Sequence, residues 1–346
     1  MRKLVSIQVI SSVEPIENAD KIELVHVLGW QCVAKKGEFK QGDRCVYFEV
    51  DSFLPIRSEF EFLRASSYKS DDYLGEGFRL RTQKFRGVLS QGLCLPVSNF
   101  PELSDVPVGT DVRDLLGVKK WEIEEFSTSD GTVINTLPDA VSHTSEVRVQ
   151  EEPGLIEAFA NQEYYISTKM DGHSCSLCID SNGFHVTGHN YEYADDGKSP
   201  FFEYVKLNRL QDKMTAYFFD NGLQTLVIQG EFCGPDIRKN HVGLLENKWF
   251  VFTIKVNGDR VDLKDMEHIC QSVGLDMVPI EEVGFDLPLK YPTVDALLTR
   301  SDGSYPSGKR KEGIVIRTVV PIYCDLIGTW LSMKIVSNKF LVKCES

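Results

Sequence analysis

Apolar and polar residues alternate in short runs through the first hundred positions: KLVSIQVISSVEP, KIELVHVLGWQCVAKKG, DRCVYFEVDSFLP, FRLRTQKFRG and SQGLCLPV. A period of two marks half-buried strands, and each run is bounded by Gly, Pro, Asn or Asp turn chemistry. KKGEFKQGD reads as a hairpin connection followed by a turn. Many short strands with little helix predict a small barrel or sandwich.

The count and size of these strands fit an OB-type β-barrel over 1–115, a fold that commonly offers a strand face to nucleic acid. The rhythm fails over 116–144, where EEFSTSDGTVINTLPDAVSHTSE is rich in Ser, Thr, Asp, Glu and Pro and reads as a linker. A second domain is expected over 145–346. LIEAFANQ and FFEYVKLNRLQDKMTAYFFDNG carry helical periodicity, the latter long enough for one extended helix. Strands are expected at YYISTKM, HSCSLCID, FHVTGHNYEY, TLVIQGEFCG, KWFVFTIKV, GIVIRTV and WLSMKIV. The fold class is therefore α+β, an N-terminal barrel followed by a mixed, largely antiparallel α+β domain.

Charge complicates the picture. The 346 residues carry a net charge of −13, which argues globally against a phosphate-bearing partner. Binding uses local surface, however, and FRLRTQKFRG holds Arg79, Arg81, Lys84 and Arg86 with no acid among them. No run approaches a membrane span, and the opening MRKLVSIQVISSVEP alternates like a strand instead of forming a signal peptide. Nine scattered cysteines suit a reducing compartment, cytoplasmic or nuclear. Cys175 and Cys178 have CxxC spacing without a second ligand pair, so structural zinc is not expected.

The candidate chemistry starts at STKMDGHS, where Lys169 and Asp171 close an alternating run. Positions i and i+2 of a strand share a face, and Gly172 permits a tight exit. Alone, the pair reads as a lysine neutralised by its neighbour. Further along, QGEFCG sets Glu231 at a strand end, KWFVFTIKV carries Phe252, KEGIVIR sets Glu312 before a strand, and LSMKIVSNKF carries Lys334. These are the parts that nucleotidyl transfer requires. A lysine amine attacks only when unprotonated, and its reference pKa near ~10.4 keeps it charged. Burial and neighbouring cations lower that value, so a depressed pKa is expected for Lys169. Carboxylates hold a divalent metal through oxygen, and an aromatic ring can stack on a base.

KMDG, QGEFCG, WFVFTI, EGIVIR and SMKIVSNKF resemble, in order, the motifs of the covalent nucleotidyltransferase superfamily, which contains polynucleotide ligases and RNA capping enzymes. IENADKIELVHVLGWQCVAKKGEFKQGDRCVYFEVDSFLP is similar to the leading barrel of nick-sealing RNA ligases. Capping enzymes and typical DNA ligases resemble one another in carrying their barrel after the transferase domain, so an ATP-dependent RNA ligase is the leading expectation. The resemblance implies that Lys169 attacks the α-phosphorus of ATP and holds AMP as a phosphoramidate. It implies that Asp171 and Glu312 position Mg2+ or Mn2+, with Glu231 bonding the ribose or assisting the metal. Phe252 would lie on adenine, Lys334 at the α-phosphate, and Arg148, in SEVRVQ, near the nucleotide. AMP would then pass to a 5′-phosphate and be displaced by a 3′-hydroxyl, with nicked duplex RNA or an RNA/DNA hybrid as partner and a monomer as the working species.

Two positions depart from the pattern. Ser332 stands where the last motif often has a first lysine, with Lys339 as a candidate replacement. TGHNYEY offers His189 and Asn190 where arginine is frequent, which directs them to the 5′-phosphate or ribose; His189 as an ordinary surface or core histidine is an equal reading. Two other functions remain open at this stage: an RNA guanylyltransferase, and a non-catalytic protein that grips structured RNA. The intact set of acids and lysines argues against the second, because buried charges are costly to keep without use.

Overall fold

The first strand, Val5–Pro15, buries four consecutive residues at its start, so both of its faces meet protein. Val5 and Ile7 face one core with Val46, Phe48, Leu54, Phe60 and Phe78. Ile10 faces the other with Val25, Trp30, Cys45 and Tyr47. An irregularity between Ile10 and Ser12 shifts its register against Ile22–Val27. A bulge of this kind bends a strand and increases its twist, which helps a sheet to close.

This computed structural model describes residues 3–71, 73–121 and 131–344. The chain divides into two compact units: the N-terminal segment with Gln150–Pro153 and the residues from Leu341, and Gly154–Phe340 with the segment ending at Val149. In the first unit a five-stranded antiparallel sheet runs in the order Leu93–Pro96, Arg44–Phe48, Val5–Pro15, Ile22–Val27, Trp30–Lys35. Its outer strands approach each other, because the Gln91 N–H donates to the Gln31 carbonyl at 2.8 Å and Gln31 Nε2 donates to the Leu89 carbonyl at 2.8 Å. The sheet is thereby curled into an OB-type barrel. A smaller sheet of Lys119–Lys120, Ser52–Pro55, Gly75–Arg79 and Tyr68–Asp71 supplies Leu54 and Phe78 to the core that holds Val5 and Ile7.

The second unit is α+β. One large sheet runs Val133–Thr136, Tyr191–Tyr193, Gly183–Thr187, His173–Asp180, Leu226–Cys233, Lys248–Val256, Asp259–Arg260. Helices Pro200–Leu207, Leu210–Asp220 and Leu263–Val273 cover one face of it, burying Phe201, Met214, Phe218, Met266 and Ile269 against Leu177, Ile228 and Trp249. A four-stranded antiparallel sheet runs Ile280–Phe285, Glu163–Lys169, Gly313–Thr318, Ser332–Val336. Its Tyr164, Ile166, Ile314, Ile316, Met333 and Ile335 bury against Leu155, Phe159, Leu287 and Leu297. The opposite face of that sheet carries Ser167, Lys169, Arg317, Ser332 and Lys334 among Tyr165, Val315 and Val336.

Three expectations need correction. The single helix expected over FFEYVKLNRLQDKMTAYFFDNG is two, because Arg209 adopts a left-handed conformation at φ 54° and the Asn208 amide donates to the Tyr204 carbonyl at 2.8 Å, closing the first helix. LIEAFANQ forms only the single turn Leu155–Ala158. Of the linker expected over 116–144, residues 122–130 lie outside the described residues, while Lys119–Lys120 pairs with Ser52–Pro55 and Val133–Thr136 forms the edge of the large sheet. Cys175 and Cys178 lie on opposite faces of one strand, in different cores, so they cannot share an ion.

Candidate active site

Strand Glu163–Lys169 of the four-stranded sheet leads through Met170, Asp171 and Gly172 into strand His173–Asp180 of the large sheet. Lys169 pairs with Gly313, so Glu312 lies one residue beyond the last rung. Ser174 pairs with Glu231 on the other side of the crossing. Register, with Asp171 in the crossing two residues after Lys169, therefore assembles Lys169, Asp171, Glu231 and Glu312 from three separate segments. Two glycines make the close approach possible. A Cβ on Gly172 would meet Cys233 Sγ at 2.7 Å and the Phe232 carbonyl closer still. A Cβ on Gly313 would run into the Ile335 carbonyl.

Lys169 Nζ donates to Glu312 Oε2 at 2.7 Å, and 24% of the lysine side chain remains accessible. Burial opposes the charge on Lys169, but Glu312, Glu231 and Asp171 together outweigh it and hold the amine above the usual lysine pKa. The expected depression is therefore reversed when only protein charges surround the amine. Burial pushes Glu231 up to about 7, with attraction to Lys169 resisting and Glu312 adding to the rise. Glu231 Oε1 accepts the Gly172 N–H at 3.0 Å, which ties this carboxylate to the crossing. Asp171 Oδ2 hydrogen-bonds to His241 Nδ1, and the His241 ring meets the edge of Phe340 at 5.3 Å.

On the same face of the four-stranded sheet, Ser167, Val315 and Lys334 form the row next to Lys169, Gly313 and Val336. Arg148 lies in a parallel bridge with Lys334, fixed by Lys334 N–H to the Val147 carbonyl at 2.8 Å and Val149 N–H to the Lys334 carbonyl at 3.1 Å. Phe252 has no partner in the register between Gln229–Thr253 and Gly230–Val251, so it occupies a bulge. The guanidinium of Arg317 lies 5.7 Å from the Phe252 ring centroid. The four-stranded sheet thus carries Lys169 and, one row on, Lys334 on one face, while Phe252 of the large sheet lies beside Arg317 in the row after that.

A family model for RNA ligase matches residues 162–334, and one for an OB-fold domain matches residues 4–97. Naegleria gruberi RNA ligase solved with PPi is 30% identical, with a TM-score of 0.88 over 100% of this chain and 99% of that chain. A glutamate-to-alanine mutant of the same ligase with ATP and Mn matches at 30% identity and a TM-score of 0.88, covering 100% of both chains. A lysine-to-methionine mutant with AMP and Mn matches at 30% and 0.87 over 98% of each. No curated protein matches the sequence.

The chain belongs to the RNA ligase family.

The departure of this RNA ligase at Ser332 has a physical counterpart. Ser332 Oγ donates to Glu146, whose other oxygen accepts from Arg317 NH2 at 2.6 Å and Nε at 3.1 Å. Burial alone would raise Glu146, yet Arg317, Arg260 and Ser332 hold it below the ordinary carboxylate range. The hydroxyl therefore belongs to a buried ion network that a lysine at 332 would crowd. Lys339, the candidate replacement, is largely exposed and its amine pairs with Asp302 at 2.6 Å.

His189 and Asn190 are exposed in the turn after Gly183–Thr187, at the end of the large sheet where His173 begins. His189 packs against His143 with ring centroids 5.4 Å apart, beside the Thr144–Ser174 hydroxyl pair at 2.8 Å. In the barrel, Arg81, Lys84 and Arg86 are exposed, the last two flanking Phe85 at the tip of the hairpin Gln83–Phe85 and Val88–Ser90. Arg79 differs from them: it is half-buried, its guanidinium 5.0 Å from the Trp121 ring centroid. Charge reversal there would disturb packing as well as charge.

Sequence reasoning missed four members of the ligase site. Glu146 and Arg317 meet across 171 positions, and no local spacing announces such a pair. His241 comes from the loop after strand Leu226–Cys233. The Tyr305 hydroxyl donates to the Lys169 carbonyl at 2.8 Å and accepts the Glu312 N–H at 3.1 Å.

Proposed function

We propose that this RNA ligase uses ATP to adenylylate Lys169 and seals nicks in duplex nucleic acid. The observation that carries the reading is the convergence of one partly accessible lysine with three carboxylates, Glu312 at 2.7 Å. Solved relatives with ATP, AMP and Mn support the nucleotide and the divalent ion.

The side chains fit a divalent cation by charge: three acids face a single lysine, and one of them is pushed to about 7 by burial. Among the described residues no three Asp, Glu, His or Cys side chains are placed to ligate one ion directly. Asp171, Glu231 and Glu312 would therefore hold it in part through its waters. When bound, such a cation would neutralise the carboxylates that keep the amine protonated and would screen the triphosphate.

Lys169 Nζ, once deprotonated, attacks the α-phosphorus. The N–P bond forms, the bond to the bridging oxygen breaks, and pyrophosphate leaves with that electron pair. Lys334, one row away, balances charge at the α-phosphate, and Phe252 offers a face to adenine. A 5′-phosphate oxygen next displaces the lysine from AMP, and a 3′-hydroxyl then displaces AMP to close the strand. We assign His189 and Asn190, exposed at the same end of the large sheet, to the 5′-phosphate or ribose. Arg81, Lys84 and Arg86 supply phosphate contacts from the barrel.

The test is a sealing assay on matched nicks with RNA or DNA on each side. The proposal expects ATP-dependent sealing of a 3′-OH RNA nick that Lys169→Ala abolishes. GTP-dependent labelling without sealing would favour guanylyl transfer instead, and sealing by the Ala variant at the wild-type rate would remove Lys169 from the mechanism.

A further inference from the structure

We propose that Tyr305 is a positioning residue for the first chemical step, its hydroxyl setting the spacing between the Lys169 and Glu312 segments. The inference rests on the reading of Lys169 as the nucleophile. Pairing between strands Glu163–Lys169 and Gly313–Thr318 stops at the Lys169–Gly313 rung. Immediately beyond it the two chains are joined through one side-chain oxygen, which donates to the Lys169 carbonyl at 2.8 Å and accepts the Glu312 N–H at 3.1 Å. A phenol has one proton to give and lone pairs to accept with, and here both capacities are used.

The anchor is itself fixed. Tyr305 is 4% exposed and sits in a cluster with Met170, Cys233, Val242 and Val278. Its own N–H donates to the Lys309 carbonyl at 2.8 Å. Glu312 is held from its other side as well, its carbonyl accepting the Ser337 N–H at 2.8 Å. Loss of the hydroxyl would leave the Lys169 carbonyl and the Glu312 N–H without their shared partner, and the segments carrying the amine and its carboxylate would drift apart. The Tyr305 hydroxyl bonds to backbone only, so it acts through the two residues it spaces.

Tyr305→Phe removes that oxygen and keeps the ring. Labelling of the protein by α-labelled ATP under single-turnover conditions should slow by about 10- to 100-fold, the range that a displacement near 1 Å produces. The half-saturating ATP concentration should stay within about twofold. Sealing of a pre-adenylylated nick, in which the lysine amine does not react, should fall by less than about threefold. Tyr305→4-aminophenylalanine, which keeps a donor and a lone pair in place, should restore labelling to within about fivefold of wild type. Labelling of Tyr305→Phe at the wild-type rate would overturn the proposal. So would parallel losses of labelling, ATP affinity and pre-adenylylated sealing, which a general structural defect produces. Failure of the wild-type chain to label would instead count against Lys169 as nucleophile, and so separates the two claims.

Discussion

Glu231 should make the protein less stable as the medium becomes more alkaline, and Glu231→Gln should remove that loss. Burial pushes the Glu231 carboxyl from its ordinary 4.5 up to about 7. A raised carboxyl pKa means that the folded chain binds this proton more tightly than the unfolded chain does. Its contribution is fully present below pH ~4.5 and is lost as pH rises through ~7. At about 1.36 kcal/mol per pH unit, the whole interval is worth at most about 3 kcal/mol, and relaxation of the site brings an expected value of about 1–3. Glutamine keeps an oxygen to accept the Gly172 N–H, now at 3.0 Å from Glu231, and carries no charge to desolvate. Urea unfolding of both proteins, without nucleotide or divalent cation, should therefore give nearly equal stabilities at pH 4.5. The Gln variant should be ahead by about 1–3 kcal/mol at pH 8. The same variant should be impaired in labelling by ATP, so a gain in stability accompanies a loss of activity. A gap that does not change with pH, or a Gln variant less stable at pH 8, would refute the reasoning.

Three further outcomes follow from other contacts. Gly172→Ala must push against the Phe232 backbone and Cys233, so it should cost about 2–4 kcal/mol in urea unfolding and abolish labelling; a neutral result would mean that the crossing is not tightly packed. Glu146→Ala leaves Arg317 and Arg260 buried with no carboxylate between them, and should cost about 3–5 kcal/mol, whereas a change under about 1 would show the network to be dispensable. Charge reversal of Arg81, Lys84 and Arg86 together should weaken binding to nicked duplex and flatten its dependence on salt while self-labelling stays intact, with unchanged salt dependence as the contrary result.

The parts of this ligase that sequence reveals are those governed by local rules. Strand alternation and turn residues set out the barrel, and Lys169, Glu231 and Glu312 stand out because a charged residue at the end of an apolar run is conspicuous. Local rules cannot see what register decides. Glu146 reads as one more acid in a polar stretch until the fold sets it against Arg317 and Ser332. Tyr305 lies in a loop seven residues before Glu312, where an aromatic has many ordinary uses, and only the end of the ladder gives its hydroxyl a purpose. The break at Arg209 escapes for a related reason: neither Asn208 nor Arg209 interrupts the helical period, and the left-handed turn is seen only in the backbone. The lysine pKa shows the same limit from the other direction. Residue type suggests a depressed value, but the three acids that the fold gathers raise it.

The most direct measurement is to incubate the purified protein with ATP and Mn2+, digest it, and locate the bound nucleotide by peptide mass mapping. The account predicts AMP on the peptide containing Lys169, linked to nitrogen and therefore released by acid. AMP on any other residue, or modification that persists in Lys169→Ala, would contradict it.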